Sequence, residues 1–248
     1  MTATATVDPA EIAKFEAMAA DWWAPEGKFR PLHAMNPCRI GYIADQAAME
    51  FGRDRKARRP FEGLALADIG CGGGIAAEPL ARLGFAVTGL DAAAESLGVA
   101  RAHAEAMGLS IDYRNEAAEA VAAKGEAFDV VTALEIVEHV ADVPAFCAAL
   151  AALVKPGGAL FMSTLNRTAK SWATAIVGAE RILRWLPPGT HDWSKFPTPE
   201  ELETALTSAG LNVVDFCGMK PDIVRDEWRT DANDLSVNYL AMAVKPGN

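Results

Sequence analysis

Positive charge is scarce in this chain. Its 248 residues carry 23 Lys and Arg against 33 Asp and Glu, a net charge of −10. A surface of that sign repels a phosphate backbone, so nucleic acid is a poor partner. Cysteine is equally sparse: Cys38, Cys71, Cys147 and Cys217 stand far apart and never form C-x-x-C. That spacing argues against a zinc site or a disulfide framework and for reduced thiols in the cytoplasm. The opening MTATATVDPA lacks the basic stretch and apolar core of a secretory signal. No uninterrupted apolar run reaches the length that spans a bilayer, and there is no internal repeat. What the chain does have is apolar residues, 51% of the total, enough for one well-filled core.

The order of segments is legible. Residues 8 to 23 read as a helix, with Asp8 as cap, Pro9 at its first position and Glu11 completing a capping box. Asn36-Pro37 opens a second helix running to about Met49 in the same way. GRDRKARRP (52–60) is polar and basic, and a solvated linker accounts for it better than a nucleic-acid patch. From Leu64 onward short apolar runs alternate with helical periods. LALADIG, AVTGLD, SIDYRNE, FDVVTAL and ALFMSTL read as strands, and AAEPLARLG, AAESLGVARAHAEAMG, DVPAFCAALAALVKPGG and TPEELETALTSAG as helices. The alternation predicts a doubly wound α/β domain with a mostly parallel sheet. LNVVDFCGM and LSVNYLAMAV follow as two last strands, better paired as a hairpin than through another crossover.

The first predicted strand ends in DIGCGGG, with glycines at Gly70, Gly72 and Gly74. A P-loop needs Lys-Ser/Thr after its glycines, and Ile75-Ala76 follow here. A dinucleotide fingerprint needs its third glycine at position 75, which is Ile75. Asp68 is a charge where a buried strand is normally apolar. It can orient the turn or accept from an ammonium, and it suits a zwitterionic amino-acid tail better than a pyrophosphate. Asp91 ends the second strand about twenty residues on, where a carboxylate accepts the hydroxyls of an adenosine ribose.

LADIGCGGG, the Asp91 strand end, FDVVTALEIVEHV and LVKPGGALFMSTLN together resemble the class I S-adenosylmethionine-dependent methyltransferases. FEAMAADWWAPEGKFRPLHAMNPCRIGYI (15–43) and STLNRTAKSWATAIVGAERILRWLPPGTHDWSKFPTPEEL resemble, more particularly, the ubiquinone biosynthesis O-methyltransferases. The resemblance implies a seven-stranded sheet with one reversed strand at its edge. It implies an N-terminal helical cap and linker over 1–60, a methyltransferase domain over 61–248 and an insert over 166–196. It further implies S-adenosylmethionine as methyl donor, with Arg39, Gly70, Asp91 and Leu134 as cofactor contacts, and methylation of hydroxyls of polyprenylated phenols and hydroquinols, twice in the pathway. A guanidinium at Arg39 suits a methionine carboxylate, the other reading being a surface arginine on an amphipathic helix. A C-methyltransferase on the same fold, or a non-catalytic S-adenosylmethionine-binding subunit of a biosynthetic complex, stays open as an alternative.

A phenol with a pKa near 10 needs help to become a nucleophile. Glu135, Glu138 and His139 follow the fourth strand at i, i+3 and i+4, a spacing that puts all three on one face of a helical turn. Either the three hold a divalent ion such as Mg²⁺ that acidifies the hydroxyl, as the resemblance implies, or His139 acts as base while the glutamates shape the site. His33 and His191 are lesser candidates. In TAKSWATAIVGAERILRWLPPG (168–189), Trp172, Ile176, Ala179, Leu183 and Leu186 share one helical side, with Lys170, Arg181 and Arg184 off it. This describes either an interfacial helix touching anionic lipid or an amphipathic lid packed on the protein's own core. The expectation is a cytoplasmic enzyme peripherally associated with the inner membrane, with other ubiquinone-biosynthesis enzymes as candidate partners.

Overall fold

Alternation along the strands builds two apolar layers from one sheet. The computed structural model describes residues 6–24, 26–173, 192–222, 224–225 and 227–247. Within them the chain runs α1 (Pro9–Glu16), α2 (Arg30–Glu50), β1 (Ala65–Ile69), α3 (Ala77–Arg82), β2 (Ala86–Leu90), α4 (Ala94–Ala106), β3 (Asp112–Arg114), α5 (Ala118–Ala123), β4 (Phe128–Leu134), α6 (Val143–Leu153), β5 (Val154–Leu165), the single turn α7 (Ala169–Ser171), α8 (Pro199–Ser208), β6 (Asn212–Asp222), β7 (Glu227–Asp231) and β8 (Asn238–Val244). Leu66, Val130, Phe161 and Met242 point to one face, where Ile40 and Ile43 of α2, Leu80 of α3 and Leu97 of α4 close the layer. Their neighbours Ala67, Val131, Leu160 and Ala241 point to the other, against Val121 of α5, Leu150 of α6 and Leu202 and Leu206 of α8. That period of two, buried on both sides, is why these strands read as continuous apolar runs.

The sheet order is β3-β2-β1-β4-β5-β8-β6-β7, with β3, β2, β1, β4 and β5 all parallel. β8 lies antiparallel between β5 and β6, so the late pair of strands does meet as expected. Two details depart from the seven-stranded expectation. The reversed strand β8 is internal rather than at the edge, and an eighth strand, β7, folds back on β6 from Asp222↔Glu227 to Gly218↔Asp231. β7 reads EWRTD, a charged edge strand whose polarity hides its period.

The N-terminal helices also differ from their predicted bounds. α1 stops at Glu16 and yields to a 3₁₀ turn at Ala19–Asp21. Asp8 does cap it, accepting from Ala10 N at 2.9 Å, but the Glu11 carboxylate accepts from His139 instead of closing a capping box. α2 begins at Arg30 with Pro31 in its first turn, and Pro37 lies inside it. Asn36 is not a cap: its amide donates to the Ile75 carbonyl at 2.8 Å. Among the described residues no helix is long and apolar enough to cross a membrane.

Candidate active site

Strand order reverses between β1 and β4, with β2 and β3 on one side and β5 on the other. In an open α/β sheet the carboxyl ends at such a point leave a crevice for a ligand. Here a cavity lies at that place, lined by Asp68, Gly70 and Gly72 from the end of β1, Asp91 from the end of β2, Leu134 at the end of β4, Glu135 and His139 after it, and Arg39 from α2. The structure therefore brings together most residues singled out from sequence. Gly74 and Glu138 are not among the lining residues.

The glycine turn needs its glycines. Gly70, Gly72 and Gly74 have φ of 68°, 51° and 85°, a left-handed region open to glycine at little cost. A Cβ on Gly72 would lie 2.4 Å from the Trp22 ring, and one on Gly74 would lie 2.3 Å from the Tyr113 hydroxyl. Asp91 fastens the turn by accepting from Gly72 N at 2.8 Å and from Ala93 N at 2.7 Å. Burial raises its pKa, and those backbone donors oppose the rise. A carboxylate has about four acceptor positions, so two bonds leave capacity for ribose hydroxyls.

Asp68 and Arg39 form the charged floor. Asp68 is 2% exposed and Arg39 3%. Asp68 Oδ1 accepts from Thr132 Oγ1 at 2.7 Å, while Oδ2 and Arg39 Nε have no hydrogen-bond partner. Burial pushes the Asp68 carboxyl up to about 6, against the pull of Thr132 and Arg39. Arg39 donates to the Leu32 carbonyl at 3.3 Å and to Asn36 Oδ1 at 3.2 Å, and lies 3.9 Å from Glu135 Oε1. Burial lowers its pKa, and Glu135 and Asp68 hold it up. Buried polar atoms are almost always satisfied, so two orphans of opposite character beside one cavity fit a zwitterion: Asp68 for an ammonium, Arg39 for a carboxylate. Together with the glycine cradle, these residues fit S-adenosylmethionine.

After β4 the chain turns sharply. Glu135 is the one residue other than glycine with positive φ among the described residues, at 53°, a conformation costing on the order of 1–3 kcal/mol that persists only where surroundings enforce it. Its N–H donates to Ser163 O at 2.9 Å and its Oε1 accepts from Ser163 Oγ at 2.7 Å. This turn leads into a 3₁₀ segment, Val137–His139, instead of the expected helical face. The three predicted side chains consequently diverge. Glu138 is buried and accepts from Thr164 Oγ1 at 2.9 Å, its pKa raised by burial and by Glu135. His139 Nδ1 bonds Glu11 Oε2 at 2.8 Å. Among the described residues no three His, Cys, Asp or Glu side chains converge to hold a metal ion. Each predicted ligand is instead engaged by a separate partner, and Arg39 stands beside Glu135. This arrangement does not fit a preformed Mg²⁺ site.

The N-terminal cap over 1–60 was an expectation of the sequence; its tryptophan contacts with the glycine turn were not. Trp22 is buried, donates to Ser96 Oγ at 3.0 Å and stacks on Phe29 with centroids 3.6 Å apart. Trp23 donates to the Gly73 carbonyl at 2.9 Å and stacks on His103, which bonds Glu78 at 2.5 Å. Adjacent tryptophans upstream of a glycine cluster are the sequence signal for this close backbone approach. Thr6 pairs with Glu119, and His33 Nε2 lies 2.8 Å from the Trp22 carbonyl, so His33 supports the cap. His191 and most of 168–189 lie outside the described residues. At the near end, Trp172 is 48% exposed and Lys170 reaches Asp234 at 2.8 Å.

Comparison with known proteins finds relatives over nearly the whole chain. The methyltransferase domain family matches residues 44–215. A ubiquinone biosynthesis O-methyltransferase of Cereibacter sphaeroides is 60% identical over 246 residues, covering 99% of this chain and all of that protein. One of Dinoroseobacter shibae is 58% identical over 245 residues, 99% of each chain. Among solved structures, the magnesium protoporphyrin IX methyltransferase of Synechocystis with bound SAH aligns at a TM-score of 0.58 and 18% identity, over 83% of this chain and 81% of that one. That likeness shows the fold.

Proposed function

The chain belongs to the ubiquinone biosynthesis O-methyltransferases, and on that premise we propose that it methylates the hydroxyl of polyprenylated phenol and hydroquinol intermediates at both O-methylation steps. Asp68 and Arg39 bind the two ends of the methionine tail, Asp91 the ribose, and the glycine turn the sugar edge, with Leu134 as an apolar wall. Bound there, S-adenosylmethionine supplies a methyl group on a cationic sulfur. The residues of the chain do the rest. Residues 1–60 cap the site of the 61–248 domain, exclude water and align donor with acceptor, the main protein contribution to an in-line transfer. His139 accepts the hydroxyl proton of the phenol, which would otherwise stay protonated near neutral pH.

The observation that carries this reading is the orphaned pair, Asp68 Oδ2 and Arg39 Nε, at a glycine turn fastened by Asp91. No step is assigned to a metal, because the spread of Glu135, Glu138 and His139 offers no shared ligand shell. Those glutamates instead shape the wall beside the base. The exposed Trp172 at the start of 168–189 supports a surface that touches anionic lipid, where a polyprenyl substrate is dissolved. Contact with other enzymes of the pathway and a cytoplasmic, inner-membrane location belong to the same reading. The test is transfer of labelled methyl to a polyprenyl catechol by the purified chain, with and without chelator. Transfer to oxygen, unchanged by chelation, is expected. No transfer to any phenol overturns the function.

A further inference from the structure

One carboxylate at the site comes from the far end of the sequence. Glu11 sits on α1, 128 residues from His139, and its Oε2 lies 2.8 Å from His139 Nδ1. Both line the cavity. We infer that Glu11 is a positioning residue for His139: by accepting from Nδ1 it fixes the Nδ1–H tautomer and makes Nε2 the nitrogen that takes the substrate proton. This rests on the reading of His139 as base.

The direction of the bond follows from charge. An ionised carboxylate only accepts, so the imidazole nitrogen facing it must carry the hydrogen. A glutamate carboxyl is ionised at neutral pH, and the Lys14 ammonium 3.6 Å from the same oxygen favours that charge further. A histidine has one basic nitrogen when neutral, and the partner of the other decides which.

The placement of α1 is itself fixed. Val7 bridges Val140 in antiparallel fashion, Ala141 N donates to the Thr6 carbonyl at 2.8 Å, and Thr6 bonds Glu119. Asp8 caps the helix start one turn before Glu11. Phe15, one turn further on, meets the imidazole edge-on with centroids 5.4 Å apart. The ring is thus held by a carboxylate at one nitrogen and an aromatic face at its side, and both come from the same short helix. A base oriented by a third group is the general form of an activated acid–base pair.

The experiment uses the full chain with E11A, E11Q and H139A. Nitrogen-15 NMR of the imidazoles, with His139 assigned by its loss in H139A, is expected to show the Nδ1–H tautomer in the wild type and its loss in E11A. Steady-state kinetics is expected to show kcat at least about tenfold lower in E11A, with KM for S-adenosylmethionine within threefold, and recovery of most of it in E11Q, whose amide oxygen still accepts. An unchanged kcat with a raised KM would make Glu11 a mere latch of the cap and overturn the inference. If H139A loses kcat while E11A keeps it, Glu11 alone is misassigned; if H139A keeps kcat, the base reading falls as well. Should E11A not fold, an Nε2–H tautomer in the wild type overturns the inference unaided.

Discussion

Replacing Asp68 by Asn should make the ligand-free chain more stable at neutral pH and its cofactor binding far worse. The two effects have one cause. Asp68 is fully enclosed, and its carboxyl is lifted from 3.8 to about 6 mainly by that burial. In the unfolded chain the group titrates at its ordinary value. The sign then follows: between 3.8 and about 6 the folded state binds more protons, so stability falls as pH rises through that window and is flat above it. The full penalty is about 3 kcal/mol. Asn keeps an acceptor for Thr132 Oγ1 and has no charge to desolvate. Its new N–H₂ replaces one oxygen, and placed at the unpartnered Oδ2 position it costs an offset independent of pH. The pH dependence of the difference is therefore the clean observable. From pH 5 to pH 8, D68N should gain about 1.4 kcal/mol relative to wild type, or roughly 3–5 °C in a chain of this size.

Binding should move the other way. Removing one partner of a desolvated charge pair costs about 2–5 kcal/mol, so the dissociation constant for S-adenosylmethionine should rise at least about thirtyfold. Calorimetry at pH 8, repeated with S-adenosylhomocysteine, separates the ammonium from the sulfonium: both compounds carry the ammonium, so both should lose affinity alike. Urea unfolding at pH 5 and pH 8 reads the stability. Parallel stability curves for the two proteins, or binding within threefold of wild type, would refute the assignment of Asp68.

Gly72→Ala forces a Cβ to within 2.4 Å of the Trp22 ring at a φ of 51°; it should destabilise the chain by about 1–3 kcal/mol, shift tryptophan emission and weaken cofactor binding, all readable in one fluorescence titration. His139→Ala should lower kcat by about 10²–10⁴ while calorimetric affinity for S-adenosylmethionine stays within threefold, which separates a base from a binding residue. Flotation with vesicles rich in anionic lipid should carry the protein upward, less so at high salt or with Lys170, Arg181 and Arg184 neutralised; recovery in the soluble fraction under all conditions would remove the membrane contact.

The parts of the site that could be read from sequence are those in which one short stretch forms a complete physical device. DIGCGGG carries its strand end, its left-handed glycines and its buried acid within seven residues; its spacing excluded a dinucleotide, and Ile75-Ala76 after it excluded a P-loop. Asp91 was legible because a strand end places it beside that turn. The Glu135-Glu138-His139 set was visible as residues but not as geometry. The i, i+3, i+4 pattern assumes a helix, whereas Ser163 holds Glu135 at φ 53° and sends the following side chains in separate directions. No local preference announces such a turn, since a left-handed glutamate is unfavourable on its own and exists only through β5. Glu11 was hidden for the opposite reason. Asp8-Pro9-x-Glu11 satisfies a local rule so well that it accounts for the carboxylate without the tertiary fold. The competing partner, His139, lies 128 residues away, and a hydrogen bond from an imidazole N–H to an ionised carboxylate is stronger than one from a backbone N–H at an exposed helix start. Where a local motif and a distant ionisable partner both claim one side chain, the stronger bond decides, and in this chain it moves a helix-capping residue to the edge of the site.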